Sequence, residues 1–221
     1  MKLLLNALIK FICGFLLVGV LIFVPAGTLE YPNGWLFIGF LFAPMLILGA
    51  VLLLKAPDLL EKRLDAKEKE SVQKSVVGLS GILFLLGFII AGLDYRLTWS
   101  DVPTWAVIIA SVIMLVAYAM YAEVMRENTY LSRTIKVEKD QKVIDTGLYG
   151  IVRHPMYMST VLLFFTIPIV LGSWYALIPF ACYPIIIVVR IINEEKVLER
   201  ELEGYSEYKK KVKYRLIPFV W

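Results

Sequence analysis

The sequence predicts an all-helical, polytopic membrane bundle of about six apolar helical segments under a cytoplasmic cofactor cap. Three observations lead there. The chain is 59% hydrophobic and 19% charged, with mean hydropathy +0.74, against about 45–50% and about 25% in soluble domains. Its apolar residues gather in runs near the length that crosses a bilayer. The Lys and Arg residues between the runs alternate in density from one connection to the next, as they do when helices thread back and forth.

The runs fall at roughly 3–24, 34–54, 76–93, 104–122, 156–172 and 174–192. The first starts at Lys2, contains Lys10 and lacks a small-residue cleavage site, so it reads as a retained helix. Segment 25–33 has no Lys or Arg, whereas 55–75 has Lys55, Lys62, Arg63, Lys67, Lys69 and Lys74. Segment 94–103 has Arg96 alone, and Asp94 is expected to pair with it locally. Segment 123–155 is basic again, the turn at Gly172–Ser173 is not, and the chain from Arg190 onward is. Basic loops mark the cytoplasmic side. An even number of crossings, both termini cytoplasmic and a site on the cytoplasmic side are therefore expected.

Leucines alternating with charges in 55–75 predict a short surface helix with its apolar side toward the membrane. TIKVEKDQKVIDTGLYG fits no long amphipathic helix and reads as an irregular cap. The last two runs are short, and Pro168, Pro179 and Pro184 interrupt them, so a bent or partly re-entrant hairpin is expected. The tail should leave the membrane as a charged helix to Leu202 and stop near Gly204. Tyr205, Tyr208 and Tyr214 interleave with lysines there, a pattern that suits the membrane interface. The expected division is 1–122, a four-helix membrane region, and 123–221, which carries the site.

Cys13 and Cys182 lie inside apolar runs and read as small buried hydrophobes. Two cysteines and one histidine speak against a disulfide framework, a structural zinc site and a hydrolytic triad. The net charge of +4 is modest, and neither a nucleic acid nor a metal partner is expected.

Two constellations could carry chemistry. GLYGIVRHPMY holds Tyr149, Arg153, His154 and Tyr157, with Pro155 placed where a helix tolerates proline, in its first turn. The helix N-terminus beside His154 would receive an anion. Arg190, Asn193 and Glu194 fall at i, i+3 and i+4 on one helix face at the end of the last apolar run. Ionisable groups at that depth are costly unless paired or facing a wet cavity. The plain alternatives are headgroup anchors for Arg153 and His154, and a local ion pair for Arg190 and Glu194.

GLYGIVRHPMY followed by RIINEEKVLERELEGYSEYKKKVKYRLIP, with NTYLSR and VIDTGLYG before them, resembles the isoprenylcysteine carboxyl methyltransferase family and its bacterial and archaeal relatives. The resemblance covers roughly 123–221. It implies a membrane methyltransferase whose cofactor is S-adenosylmethionine. It implies cofactor contacts at Gln141, Lys142, Val143, Ile144, Tyr149, His154, Pro155, Met156, Tyr157 and Glu194. Arg190 would face the acceptor, with Asn193 beside it, and the acceptor would be a lipid-like molecule such as a prenylated cysteine, reached among membrane lipids. Family members often carry histidine where Gln141 stands.

The chemistry is compatible. A carboxylate such as Glu194 can oppose the cofactor's ammonium or sulfonium, and His154 can hold its carboxylate. Tyrosines offer faces to adenine or sulfonium. A carboxylate acceptor is already ionised and needs no base, and Arg190 would grip it bidentately.

The tail also resembles membrane sterol reductases, for which Lys136, Lys139 and Lys142 could bind the 2′-phosphate of NADPH. A non-enzymatic membrane scaffold is the third reading.

Overall fold

The computed structural model describes residues 2–65, 71–132, 134, 135 and 137–221, with Ser71 and Val72 by their backbone only. Lys67 and Lys69 of the expected surface helix, Arg133 of NTYLSR and Lys136 of the expected phosphate cluster lie outside the described residues.

The fold is a membrane helix bundle. α1 (Lys2–Ala26) and α2 (Pro32–Lys55) form the first pair. Extended Tyr31 precedes Pro32, whose missing N–H costs nothing in a first turn. α3 (Pro57–Leu64) begins on another proline and buries Leu59 and Leu60, so the surface helix exists and is only eight residues long. α4 (Ser71–Leu97) and α5 (Thr104–Glu127) are the next long apolar helices. α6 (Pro155–Val170) is shorter. At 1.5 Å per residue it spans about 24 Å, less than the roughly 30 Å of a hydrocarbon core. The last arm is broken at Cys182 into α7 (Leu177–Ala181) and α8 (Tyr183–Glu201), with Pro184 in the first turn of α8. Cys182 keeps right-handed helical angles, so the break is an interruption of the helical bonding where Pro184 follows. Five stretches are long and apolar enough to cross a membrane, with α7 and α8 together making one. α6 supplies the sixth apolar segment.

α8 continues to Glu201, well past the apolar run, and carries charged residues out of the bundle. Gly204 takes φ +83°, a left-handed conformation that glycine adopts without strain. It turns the chain into α9 (Tyr205–Lys211).

The main core joins α1, α2, α4, α5, α6 and α7 through Ile22, Phe37, Phe88, Met114, Ile167 and Phe180. Phe84 meets Phe164 edge-to-face at 4.5 Å, a geometry the ring quadrupoles favour. At Gly92 α4 approaches α1 so closely that a Cβ would lie 2.5 Å from the Ile22 carbonyl oxygen.

At the end of the bundle reached by the C-terminus of α6, the expected Asp94–Arg96 pair does not form. Asp94 is buried and accepts from the Ser100 N–H (2.7 Å), the Ser100 hydroxyl (2.6 Å) and the Ser173 hydroxyl. Residues two apart on a helix point to different sides. Arg96 packs instead over Gly27. The cysteines are also corrected: Cys13 and Cys182 are both exposed on the bundle surface. An apolar run shows hydrophobicity and does not tell the core from the hydrocarbon.

Candidate active site

Four pieces of chain meet at the opposite end: the 128–150 cap, the start of α6, the charged half of α8 and the tail from Gly204 on. The described residues of the cap are irregular, as expected, apart from a 3-10 turn at Gly147–Gly150. Pro155 opens α6 with His154 as its N-cap residue. The His154 N–H and that of Arg153 are already taken, by the Arg215 and Tyr214 carbonyls at 2.9 Å each. The tail is thus stitched to the approach of α6 by backbone bonds.

Glu195 locks the same junction from the side. Its carboxylate accepts from Arg153 Nε (2.7 Å) and Arg215 Nε (2.9 Å), and His154 Nε2 lies 3.3 Å away. Arg153 also donates to the carbonyls of Val212 (2.8 Å) and Lys213 (2.9 Å). The Arg153 and Glu195 side chains are each 4% exposed. Arg153 is accordingly an internal tie and no headgroup anchor. A buried pair of this kind needs further hydrogen bonds to its charged groups, and the Val212 and Lys213 carbonyls supply them to Arg153.

Beside this knot lies a hollow enclosing about 830 Å³, its open mouth included. Gln141, Lys142, Val143, Ile144, Tyr149, His154, Pro155, Met156, Tyr157, Arg190 and Glu194 all line it. Asn193 does not, although it shares their helix; its Nδ2 is buried without a hydrogen-bond partner among the described residues. Tyr157 sits between the two charged residues of α8. Arg190 Nε donates to its hydroxyl (2.7 Å), which in turn donates to Glu194 (2.5 Å). The pairing of Arg190 with Glu194 therefore runs through a phenol. His154 stacks on the Tyr157 ring at 5.7 Å, and its Nδ1 is 4.0 Å from Glu194.

The hollow changes character along α8. Arg190, Glu194, Leu198 and Leu202, each four residues on, all line it. Arg190 and Glu194 stand toward the bundle with Tyr157. Leu198 and Leu202 stand toward the tail, where they cluster with Val143, Tyr205 and Tyr208. From Arg190 to Leu202 the rise is about 18 Å.

Tyr149 is held by Asn128, whose side-chain amide donates to its hydroxyl at 2.9 Å, and by Tyr208, whose hydroxyl donates to its carbonyl at 2.7 Å. Burial pushes the Tyr149 phenol up to about 12. Burial, reinforced by the Glu195 and Glu194 charges, raises Tyr205 as well. Both phenols are protonated donors at neutral pH.

Tyr205 and Tyr208, expected at the membrane interface, are 3% and 6% exposed and face the hollow. The Tyr205 hydroxyl is enclosed and has no hydrogen-bond partner among the described residues. Such a group costs about 1–3 kcal/mol unless something fills its need. An orphan donor, a carboxylate and apolar side chains lining one hollow fit a zwitterionic nucleoside such as S-adenosylmethionine.

Sequence reasoning missed Tyr205, Tyr208, Leu198 and Leu202, and also Glu195 as the anchor. It expected α3 but missed that this helix reaches the cap from the N-terminal half. Lys62 pairs with Glu138 at 2.7 Å, and Arg63 donates to the Ser132 carbonyl at 3.2 Å and to the Tyr121 hydroxyl. Of the lysines expected to bind a 2′-phosphate, Lys142 lines the hollow and Lys139 does not. Among the described residues no three His, Cys, Asp or Glu side chains are arranged to hold a metal ion.

The membrane bundle thus carries a polar hollow at one end, walled by the cap, α6, α8 and the tail. Residues 103–203 match the PEMT family model, phospholipid methyltransferase, from the approach to α5 through the end of α8. The match bears out the membrane methyltransferase resemblance drawn from GLYGIVRHPMY and the paired glutamates. No curated protein matches the chain.

Proposed function

We propose that the protein transfers a methyl group from S-adenosylmethionine to a carboxylate on a lipid-tailed acceptor, of which a prenylated cysteine is the model. The observation that carries this reading is the hollow itself. It gathers the residues expected to hold the cofactor, drawn from the cap, α6 and α8, together with Arg190.

The cofactor, when bound, supplies an electrophilic methyl on a sulfonium. Glu194 opposes positive charge at the polar end, and Tyr157 fixes the Glu194 carboxylate through its 2.5 Å bond. Arg190 is only 9% exposed and is oriented by Tyr157, so its guanidinium can hold an acceptor carboxylate. The acceptor oxygen gains the methyl, the S–C bond electrons stay on sulfur as a neutral thioether, and no proton has to move. Alignment and exclusion of water are the main demands.

A second hollow, apolar and open at the bundle surface, is lined by side chains such as Leu17, Phe37, Phe84, Met114 and Phe164. Phe164 is about 10 Å along α6 from Tyr157. Hydrocarbon near the site supports a lipid-tailed acceptor. Both termini and the site are assigned to the cytoplasm on the Lys/Arg pattern.

The matched family description favours a second acceptor, a phospholipid, whose headgroup would be methylated at an amine. Incubating membranes with labelled S-adenosylmethionine and extracting the product distinguishes the two. A methyl ester is released as methanol by mild alkali, and an N-methyl group is not. Alkali-stable label on a phospholipid would replace the carboxylate reading, and label on no lipid or lipidated product would remove both. An NADPH reductase is tested alongside by calorimetry in detergent: heat with NADPH and none with S-adenosylhomocysteine would overturn the methyltransferase cofactor.

A further inference from the structure

We propose that Tyr205 is a cofactor-binding residue whose phenol donates a hydrogen bond to the nucleoside part of S-adenosylmethionine, in the tail-side half of the hollow. The inference rests on the cofactor reading above and fixes the orientation of the bound molecule.

The argument starts from polarity. The charged lining residues of α8 are at one end of the stripe, and Leu198 and Leu202 are at the other. The cofactor is polarised in the same way, with its ammonium, carboxylate and sulfonium at one end and a flat heterocycle at the other. Matching like with like puts the sulfonium near Glu194 and Tyr157, toward the membrane where a lipid-tailed acceptor arrives. It puts adenine among Val143, Leu198, Leu202 and Tyr205, which form one apolar cluster with Tyr208. An apolar slot alone would hold any flat ring. Specificity needs a polar group at a defined point.

Tyr205 supplies it. Its ring packs 5.8 Å from that of Tyr208, which is tied to the Tyr149 carbonyl, so the phenol is held in place. Its hydroxyl is the enclosed polar atom of the hollow's lining that has no partner among the described residues. The neighbouring carboxylates of Glu194 and Glu195 are engaged by Tyr157 and by Arg153 and Arg215 respectively. Adenine ring nitrogens and ribose oxygens are acceptors of the kind a phenol O–H requires.

The test uses two probes on the purified full chain in detergent. S-adenosylhomocysteine carries nucleoside and amino acid; 5′-methylthioadenosine carries the nucleoside without the amino-acid group. Tyr205→Phe should weaken both by the same factor, roughly 2- to 12-fold for one neutral hydrogen bond. The ligand-free Tm should hold or rise, because an unsatisfied hydroxyl has been removed. Glu194→Gln should weaken S-adenosylhomocysteine more than methylthioadenosine. Unchanged binding by Tyr205→Phe would overturn the assignment. So would a loss confined to S-adenosylhomocysteine, which would put Tyr205 at the amino-acid end, or a loss accompanied by a lower ligand-free Tm, which would make its role structural. Failure of the wild-type protein to bind either probe would instead remove the cofactor reading beneath it.

Discussion

Replacing Glu195 with alanine should destabilise the protein by about 3–5 kcal/mol, the range for removing one member of a buried ion pair. The structure says where that cost arises. Glu195 is 3% exposed and meets Arg153, Arg215 and His154. Arg215 is 33% exposed, so water can replace its lost partner and it adds little. Arg153 is 4% exposed and would keep only the Val212 and Lys213 carbonyls for a full charge. Most of the loss is therefore the stranded Arg153 guanidinium. At about 2–4 °C per kcal/mol for a chain of this size, Tm should fall by roughly 6–20 °C. Thermal unfolding in detergent, followed by tryptophan fluorescence, measures it. Pairing Arg153→Met with Glu195→Leu should recover part of the loss, since the lone charge is gone. A fall under 2 °C for Glu195→Ala, or a double variant worse than the sum of the singles, would refute the reasoning.

Arg190→Ala should cut methyl transfer by roughly 10- to 150-fold, the worth of a hydrogen bond to a charged group, with S-adenosylhomocysteine affinity nearly intact; equal loss of both would assign Arg190 to the cofactor. Tyr149 should remain a phenol well above pH 10, because burial holds it up to about 12. Its folded pKa is raised, so its contribution to stability is whole below pH 10 and is lost as pH rises through about 12; a phenolate absorbance difference between wild type and Tyr149→Phe that is half developed near pH 10 would contradict this. With Cys13 and Cys182 changed to alanine, a cysteine at position 221 should resist a membrane-impermeant thiol reagent added outside intact cells; ready labelling would reverse the topology.

The spans were legible because crossing hydrocarbon requires long apolar helices, and composition reports that directly. The start of α6 was legible because proline has few places in a helix, and Pro155 takes one of them. Arg190 and Glu194 stood out because charge at the end of an apolar run demands a reason. The Glu195 knot was hidden: its partners Arg153 and Arg215 lie 42 and 20 residues away, and only folding brings them together. Tyr205 and Tyr208 were hidden for another reason. Tyrosine between lysines fits a lipid interface and a folded-back tail equally well, and the backbone bonds from 153 and 154 to 214 and 215 decide for the second. Asn193 lies outside the hollow's lining although it shares the helix, since a shared helix face does not say how far around it a cavity extends.

Those backbone bonds also impose an order on biosynthesis. The apolar segments can enter the bilayer one after another while translation continues. The pocket wall contributed by Tyr205 and Tyr208, and the strip at 212–215 that clasps Arg153 and His154, leave the ribosome only afterwards. A nascent chain halted before Val212 would be anchored in the membrane yet lack the strip that holds the start of α6 beside the hollow. Competence to react therefore comes after insertion has been completed.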